Sequence, residues 1–202
     1  MSNVARDSPR SAGLLVVVVL AGAVFVALAA VFWAGSNTHG AEGAEPLWAE
    51  VFGELGSHRV LPAATLLFCL VLAVAGRRAD AILVLAAVTG AGVLTYGAKA
   101  ILQVVGADDD GGRISDYPSG HSTTTAAFTG ALVVLVWRST ENAVARATAV
   151  AGAAVLTALM SLARVESGGH TALDVLGGVA LGVGWLAVCL LVLRPAPRSA
   201  PA

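Results

Sequence analysis

Charge is what this 202-residue chain lacks most: Asp, Glu, Lys and Arg make up 12% of it, against about 25% in an ordinary soluble domain. That shortage excludes a normal water-facing globular surface. No run of basic residues occurs and the formal net charge is −1, so nucleic acid is not an expected partner. Cysteine is nearly absent. Cys69 and Cys189 both stand inside apolar stretches, which excludes a disulfide framework and makes them small buried hydrophobes. No internal repeat is visible, so a solenoid is excluded as well.

Apolar residues take the place of charge, at 57% of the chain with a mean hydropathy of +0.81. They fall in blocks of about twenty residues, the length a helix needs to cross roughly 30 Å of hydrocarbon. A spanning segment must satisfy its own backbone polar groups, so the blocks read as helices. Six spans are expected, over Leu14–Ala34, Val60–Ala75, Ala81–Val105, Thr123–Trp137, Ala147–Ala163 and Ala172–Leu193. Pro62 makes the start of the second hard to place. The fold class expected is all-α, an integral membrane bundle of six transmembrane helices. It comprises an N-terminal tail over 1–13, a membrane domain over 14–193 and a C-terminal tail over 194–202. Arg6 and Arg10 before an apolar run also fit a secretory signal, but the run is long for one and five more blocks follow.

Basic residues flanking spans mark the cytoplasmic side. Six spans place Arg6, Arg10, Arg77, Arg78, Arg138, Arg146, Arg194 and Arg198 together, eight of the twelve basic residues. Both termini are therefore expected in the cytoplasm and the loops 35–59 and 106–121 outside, at the plasma membrane. Arg59, Lys99, Arg113 and Arg164 fall on the outer side, where topology does not require them.

At about 1.5 Å per residue, Lys99 lies about 30 Å from the inner face, His121 about 26 Å and Arg164 about 27 Å. His170 lies at about 36 Å along a straight helix, less along a tilted one. Four separate stretches thus deliver Lys, His, Arg and His to similar depth, and ionisable residues at such positions are functional by default. In Tyr117-Pro118-Ser119-Gly120-His121 a loop ends where a helix begins. Ser119 can cap that helix, and Gly120 lets free N–H groups approach an anion. His170 and Asp174 are four apart and share a face, so the carboxylate can hold one imidazole nitrogen protonated and leave the other nucleophilic. Arg164 offers a fork for phosphate oxygens. Taken singly, each has a bland reading: a snorkelling cation, a structural histidine, a loop, a helix cap. Taken together, those readings leave two histidines and three cations on the outer side unexplained.

These residues resemble the type 2 phosphatidic acid phosphatase superfamily, whose motifs are Lys-x6-Arg-Pro, Pro-Ser-Gly-His and Ser-Arg-x5-His-x3-Asp. The second stands intact as Pro118-Ser119-Gly120-His121. The third matches at Arg164, His170 and Asp174, with Ala163 in place of the Ser. The first is degenerate: Lys99 is present, but Gly106 stands where the Arg belongs. Arg113, in the same loop, is the expected substitute. The resemblance covers about 99–178. It implies a metal-independent lipid phosphatase without a cofactor, in which His170 attacks phosphorus, Asp174 orients it and His121 serves as acid and then base. Lys99, Arg164, Arg113 and the backbone at Ser119 and Gly120 would bind phosphate. The implied partners are the bilayer and a lipid phosphate such as a polyprenyl diphosphate, phosphatidate or phosphatidylglycerol phosphate.

A phosphotransferase and a non-catalytic membrane relative remain alternatives, as do all oligomeric states. A transporter fits less well, because no polar path crosses the midplane. Asp108-Asp109-Asp110 reads as a solvated acidic loop rather than a metal site. Leu47, Trp48, Val51, Phe52 and Leu55 recur at helical spacing, as a short helix on the membrane surface beside the substrate's access route would show.

Overall fold

The computed structural model describes residues 4–33, 46–105 and 117–193. Arg113, the acidic run 108–110 and the tail 194–202 fall outside them. Among the described residues there are seven helices and no strand: α1 (Val4–Trp33), α2 (Leu47–Leu55), α3 (Val60–Val74), α4 (Arg78–Val105), α5 (Gly120–Ser139), α6 (Ala143–Glu166) and α7 (Ala172–Val192). All six apolar blocks are helical. Helices α1, α4, α5 and α6 extend beyond the apolar runs at one end or both, because hydropathy marks the lipid-facing length and the backbone hydrogen bonds continue past it. Helices α3 and α7 each stop one residue short of the expected end. Pro62 does not interrupt α3, since it lies in the first turn, whose N–H groups have no partner within the helix.

Four helices, α1, α4, α6 and α7, are each long and apolar enough to cross a membrane. The pair α2 and α3 passes the same test jointly, as a span bent by 49°. The residues expected to form a short helix, Leu47 to Leu55, are α2, and it meets α3 at a sharp turn. Helix α5 is left out by its composition, which includes Ser122, Thr123, Thr124, Thr125 and Thr129. Most of its hydroxyls are nevertheless provided for, with Thr125 Oγ1 buried and unpartnered among the described residues. Thr123 Oγ1 donates to the Ser119 carbonyl at 2.8 Å, and Thr124 Oγ1 to that of Gly120 at 2.9 Å. Thr129 Oγ1 bonds the Thr125 carbonyl at 2.9 Å and Thr157 Oγ1 on α6 at 2.8 Å. Paired in this way, a polar helix can occupy the middle of a bundle.

Helix α5 packs on α4, α6 and α7, while α7 also meets α1 and α4. Small residues set the spacing. A Cβ on Gly178 would stand 2.5 Å from the Ser119 carbonyl oxygen, and one on Gly130 would stand 2.6 Å from Leu186 Cδ2. The apolar core lies toward the end where α3 joins α4, with Leu83, Val84, Ala87, Ala127 and Ala131 almost wholly buried. That end also holds three ion pairs between arginines and carboxylates. Asp80 takes Arg77 and Arg138 at 2.7 Å each, tying the start of α4 to the end of α5. Arg146 bonds Glu141 at 2.7 Å and lies over the Trp137 ring at 5.1 Å. His58, His121 and His170 occupy the opposite end.

Candidate active site

Each residue of the site is delivered by a helix end. Thr171 caps α7 in a reciprocal box: the Asp174 N–H donates to Thr171 Oγ1 at 3.3 Å, and the Thr171 N–H donates to Asp174 Oδ2 at 2.6 Å. The sequence carried this signal, since Thr171 and Asp174 have capping-box spacing. Asp174 is fully buried, and its Oδ2 lies 3.7 Å from His170 Nδ1. Asp174 Oδ1 and His170 Nδ1 are both buried without a hydrogen-bond partner among the described residues. The carboxylate therefore serves as a cap and faces the imidazole as well. At 3.7 Å the pair is longer than a hydrogen bond, a looseness common at catalytic contacts before substrate tightens them.

The turn from α6 to α7 folds back on itself. The His170 N–H donates to the Arg164 carbonyl at 3.1 Å, and Gly168 adopts φ +67°, which a glycine accepts without strain. A Cβ on Gly169 would stand 2.9 Å from Arg164 Nη2, so the guanidinium lies directly over that glycine. Arg164 is half-buried, with Nε unpartnered among the described residues.

One backbone bond joins the two halves of the site. The Ser119 N–H donates to the Asp174 carbonyl at 2.9 Å, locking the start of α5 to the start of α7. Ser119 holds the N-cap position but makes no side-chain cap bond, contrary to the capping expectation. It is fully buried. Ser122 Oγ donates to Ser119 Oγ at 3.2 Å and Ser161 Oγ to Ser122 Oγ at 3.1 Å, a hydroxyl chain reaching from α6 to the loop. Beside it the Tyr117 hydroxyl donates to the Phe25 carbonyl on α1 at 2.7 Å. Burial raises the Tyr117 pKa well above the usual phenol range and the Asp174 carboxylate adds to the shift, so this donor keeps its proton.

Lys99, Gly120, His121 and His170 line one cavity of about 490 Å³. Arg164 is not on its wall, but the charges of Arg164 and His170 both act on His121. Ser119 and Asp174 stand behind it. The sequence reading missed other polar lining residues, among them His58, Thr95 and Thr124. His58 could have been noticed as a further outer ionisable residue in the run His58-Arg59; Thr95 and Thr124 carried no signal. From the histidines the cavity continues between α3 and α4, past Leu61, Leu66, Val88 and Leu85. Lys99 to Leu85 is about 21 Å along the helix axis.

Residues 106–198 match the family model of the PAP2 superfamily. The match contains the second and third motifs and begins after Lys99, so it leaves out the degenerate first motif. Neither a curated protein nor a solved structure matches the chain significantly.

Proposed function

Starting from the match to the PAP2 superfamily, whose members are phosphoesterases, we propose that this protein is a phosphatase for a membrane lipid phosphate or diphosphate. The observation that carries this reading is the convergence of Lys99, His121 and His170 on one cavity whose far end is apolar. A phosphate held by the cations would leave its hydrocarbon tail along α3 and α4. Leu66 and Tyr96, both on the cavity wall, are 61% and 74% exposed, which lets a lipid enter sideways from the bilayer.

His170 attacks phosphorus in line through Nε2, because Nδ1 faces Asp174. Lys99, Arg164 and the Gly120 backbone carry the charge that develops on the phosphoryl oxygens. Arg113 supplies the cation missing from the first motif. The departing oxygen takes its proton from His121, which then deprotonates the water that opens the phosphohistidine. No step calls for a metal. Six spans, with α2 and α3 forming a single broken one and α5 shielded by its neighbours, place both termini in the cytoplasm and the site outside.

Phosphate release by the detergent-purified protein tests the reading, using polyprenyl diphosphate, phosphatidate and phosphatidylglycerol phosphate with EDTA present. Release that resists EDTA and vanishes in His170→Ala is the expected result. Equal release by that variant would overturn the mechanism, and release only with an added acceptor would make the protein a phosphotransferase.

A further inference from the structure

We propose that the turn between α2 and α3 is a second anion subsite, in which His58 binds a phosphate adjacent to the one transferred. The proposal rests on the phosphatase reading and narrows its substrate to a lipid diphosphate.

Helix α2 ends at Leu55 and α3 begins at Val60, so four residues carry the 49° bend of a broken span. Irregular backbone at membrane depth is tolerated where it is buried in protein or lines a polar cavity. In many transporters such breaks mark the binding site. Here the break lines the cavity: Gly56, Ser57 and His58 are all on its wall. The turn is also rigid. Ser57 is buried and donates to Glu54 Oε1 at 3.2 Å, while its hydroxyl oxygen accepts from the Val60 N–H at 3.2 Å. A Cβ on Gly56 would stand 3.3 Å from His121 Cδ2, which sets the turn directly against the acid of the reaction. Two residues on, His58 is exposed and lines the same cavity as His121.

Its place in the cavity suits it to the leaving group. Leu61 and Pro62, one turn farther along, begin the apolar stretch, so His58 stands between the histidine pair and the tail groove. A monophosphate ester would present an uncharged alkoxy group there; a diphosphate ester presents its inner phosphate. In the diphosphate reaction a bond forms from His170 to the outer phosphorus. The bond from that phosphorus to the bridging oxygen breaks. The inner phosphate leaves with the electron pair, takes the His121 proton and stays on the lipid. Water deprotonated by His121 then releases inorganic phosphate and restores His170. Charge accumulates on the inner phosphate in the first step, where a donor from His58 stabilises it.

The test compares the full-length protein with His58→Ala and His58→Lys on polyprenyl diphosphate and polyprenyl monophosphate of the same chain length. The wild type is expected to prefer the diphosphate. His58→Ala should lower the ratio of diphosphate to monophosphate kcat/KM about ten- to a hundredfold, the scale of one hydrogen bond to a charged group. His58→Lys should recover most of that ratio. A ratio unchanged in His58→Ala overturns the subsite, because a general structural defect would lower both activities together. Wild-type release from the monophosphate alone overturns the subsite and leaves the phosphatase standing. Release from neither polyprenyl lipid by folded protein that still acts on phosphatidate or phosphatidylglycerol phosphate overturns the subsite, and release from none of these lipids overturns the phosphatase reading itself.

Discussion

Replacing Gly178 with alanine should uncouple the two halves of the site without touching a reacting group. The new Cβ would lie 2.5 Å from the Ser119 carbonyl oxygen, 3.1 Å from Ser122 Cβ and 3.1 Å from Thr123 Oγ1. The first of these is a backbone atom, which no rotamer change can move. Van der Waals contact between carbon and oxygen needs roughly 3.3 Å, so α5 and α7 must separate by about 0.8 Å at this level. The Ser119 N–H to Asp174 carbonyl bond, 2.9 Å long, is made by the same residue whose oxygen is pushed. His121 would then move relative to His170, and a 1 Å misplacement of catalytic groups costs about a hundredfold in rate. Overpacking of this kind also costs about 1–3 kcal/mol of stability. The assay is phosphate release alongside thermal unfolding in the same detergent. Gly152→Ala is the control, because a Cβ there meets nothing within 4 Å; it should be neutral or gain up to about 1 kcal/mol from the helix preference of alanine. A Gly178→Ala protein with kcat/KM within about threefold of wild type would show that the close approach of α5 and α7 does not set the catalytic geometry.

Asp174→Asn keeps the shape but loses the carboxylate facing His170, so kcat should fall by a hundredfold or more, to roughly the level of triad variants with a disoriented imidazole. Thr171→Ala removes only the side-chain cap and should cost about 0.5–2 kcal/mol in unfolding; if its kcat falls as far as that of Asp174→Asn, the carboxylate acts mainly as a cap. Tyr117→Phe loses the 2.7 Å bond to the Phe25 carbonyl and should lower stability by about 1 kcal/mol with little change in kcat. An unaltered melting temperature would contradict the role given to that bond in joining α1 to the site. Arg113→Ala should raise KM about tenfold or more if this residue replaces the missing first-motif cation, and wild-type kinetics would rule that out.

The helical blocks and the chemistry of the third motif were legible in the chain because both are local. A membrane helix closes its hydrogen bonds within one segment, so its existence follows from a run such as Leu14–Trp33 or Ala172–Leu193. His170 and Asp174 share a face because they are four residues apart on one helix, whatever surrounds it. Counting residues along the spans brought Lys99 and His121 to similar height, and both line the one cavity. What tertiary structure alone decided is which faces meet. The hydrogen bond from Ser119 to Asp174 joins residues 55 apart in number, and no periodicity announces it. Ser119 turned out to be buried among Ser122 and Ser161 rather than capping α5. The hydroxyls of α5 bond mostly to carbonyls one turn back. The contacts of Ser122 and Thr129 with Ser161 and Thr157 on α6 are settled only by packing, because the cost of a buried polar group depends on its partners. His58 entered the site for the same reason. Its neighbours in sequence form a turn, but its neighbours in space are His121 and the cavity, and only the bend between α2 and α3 brings them together.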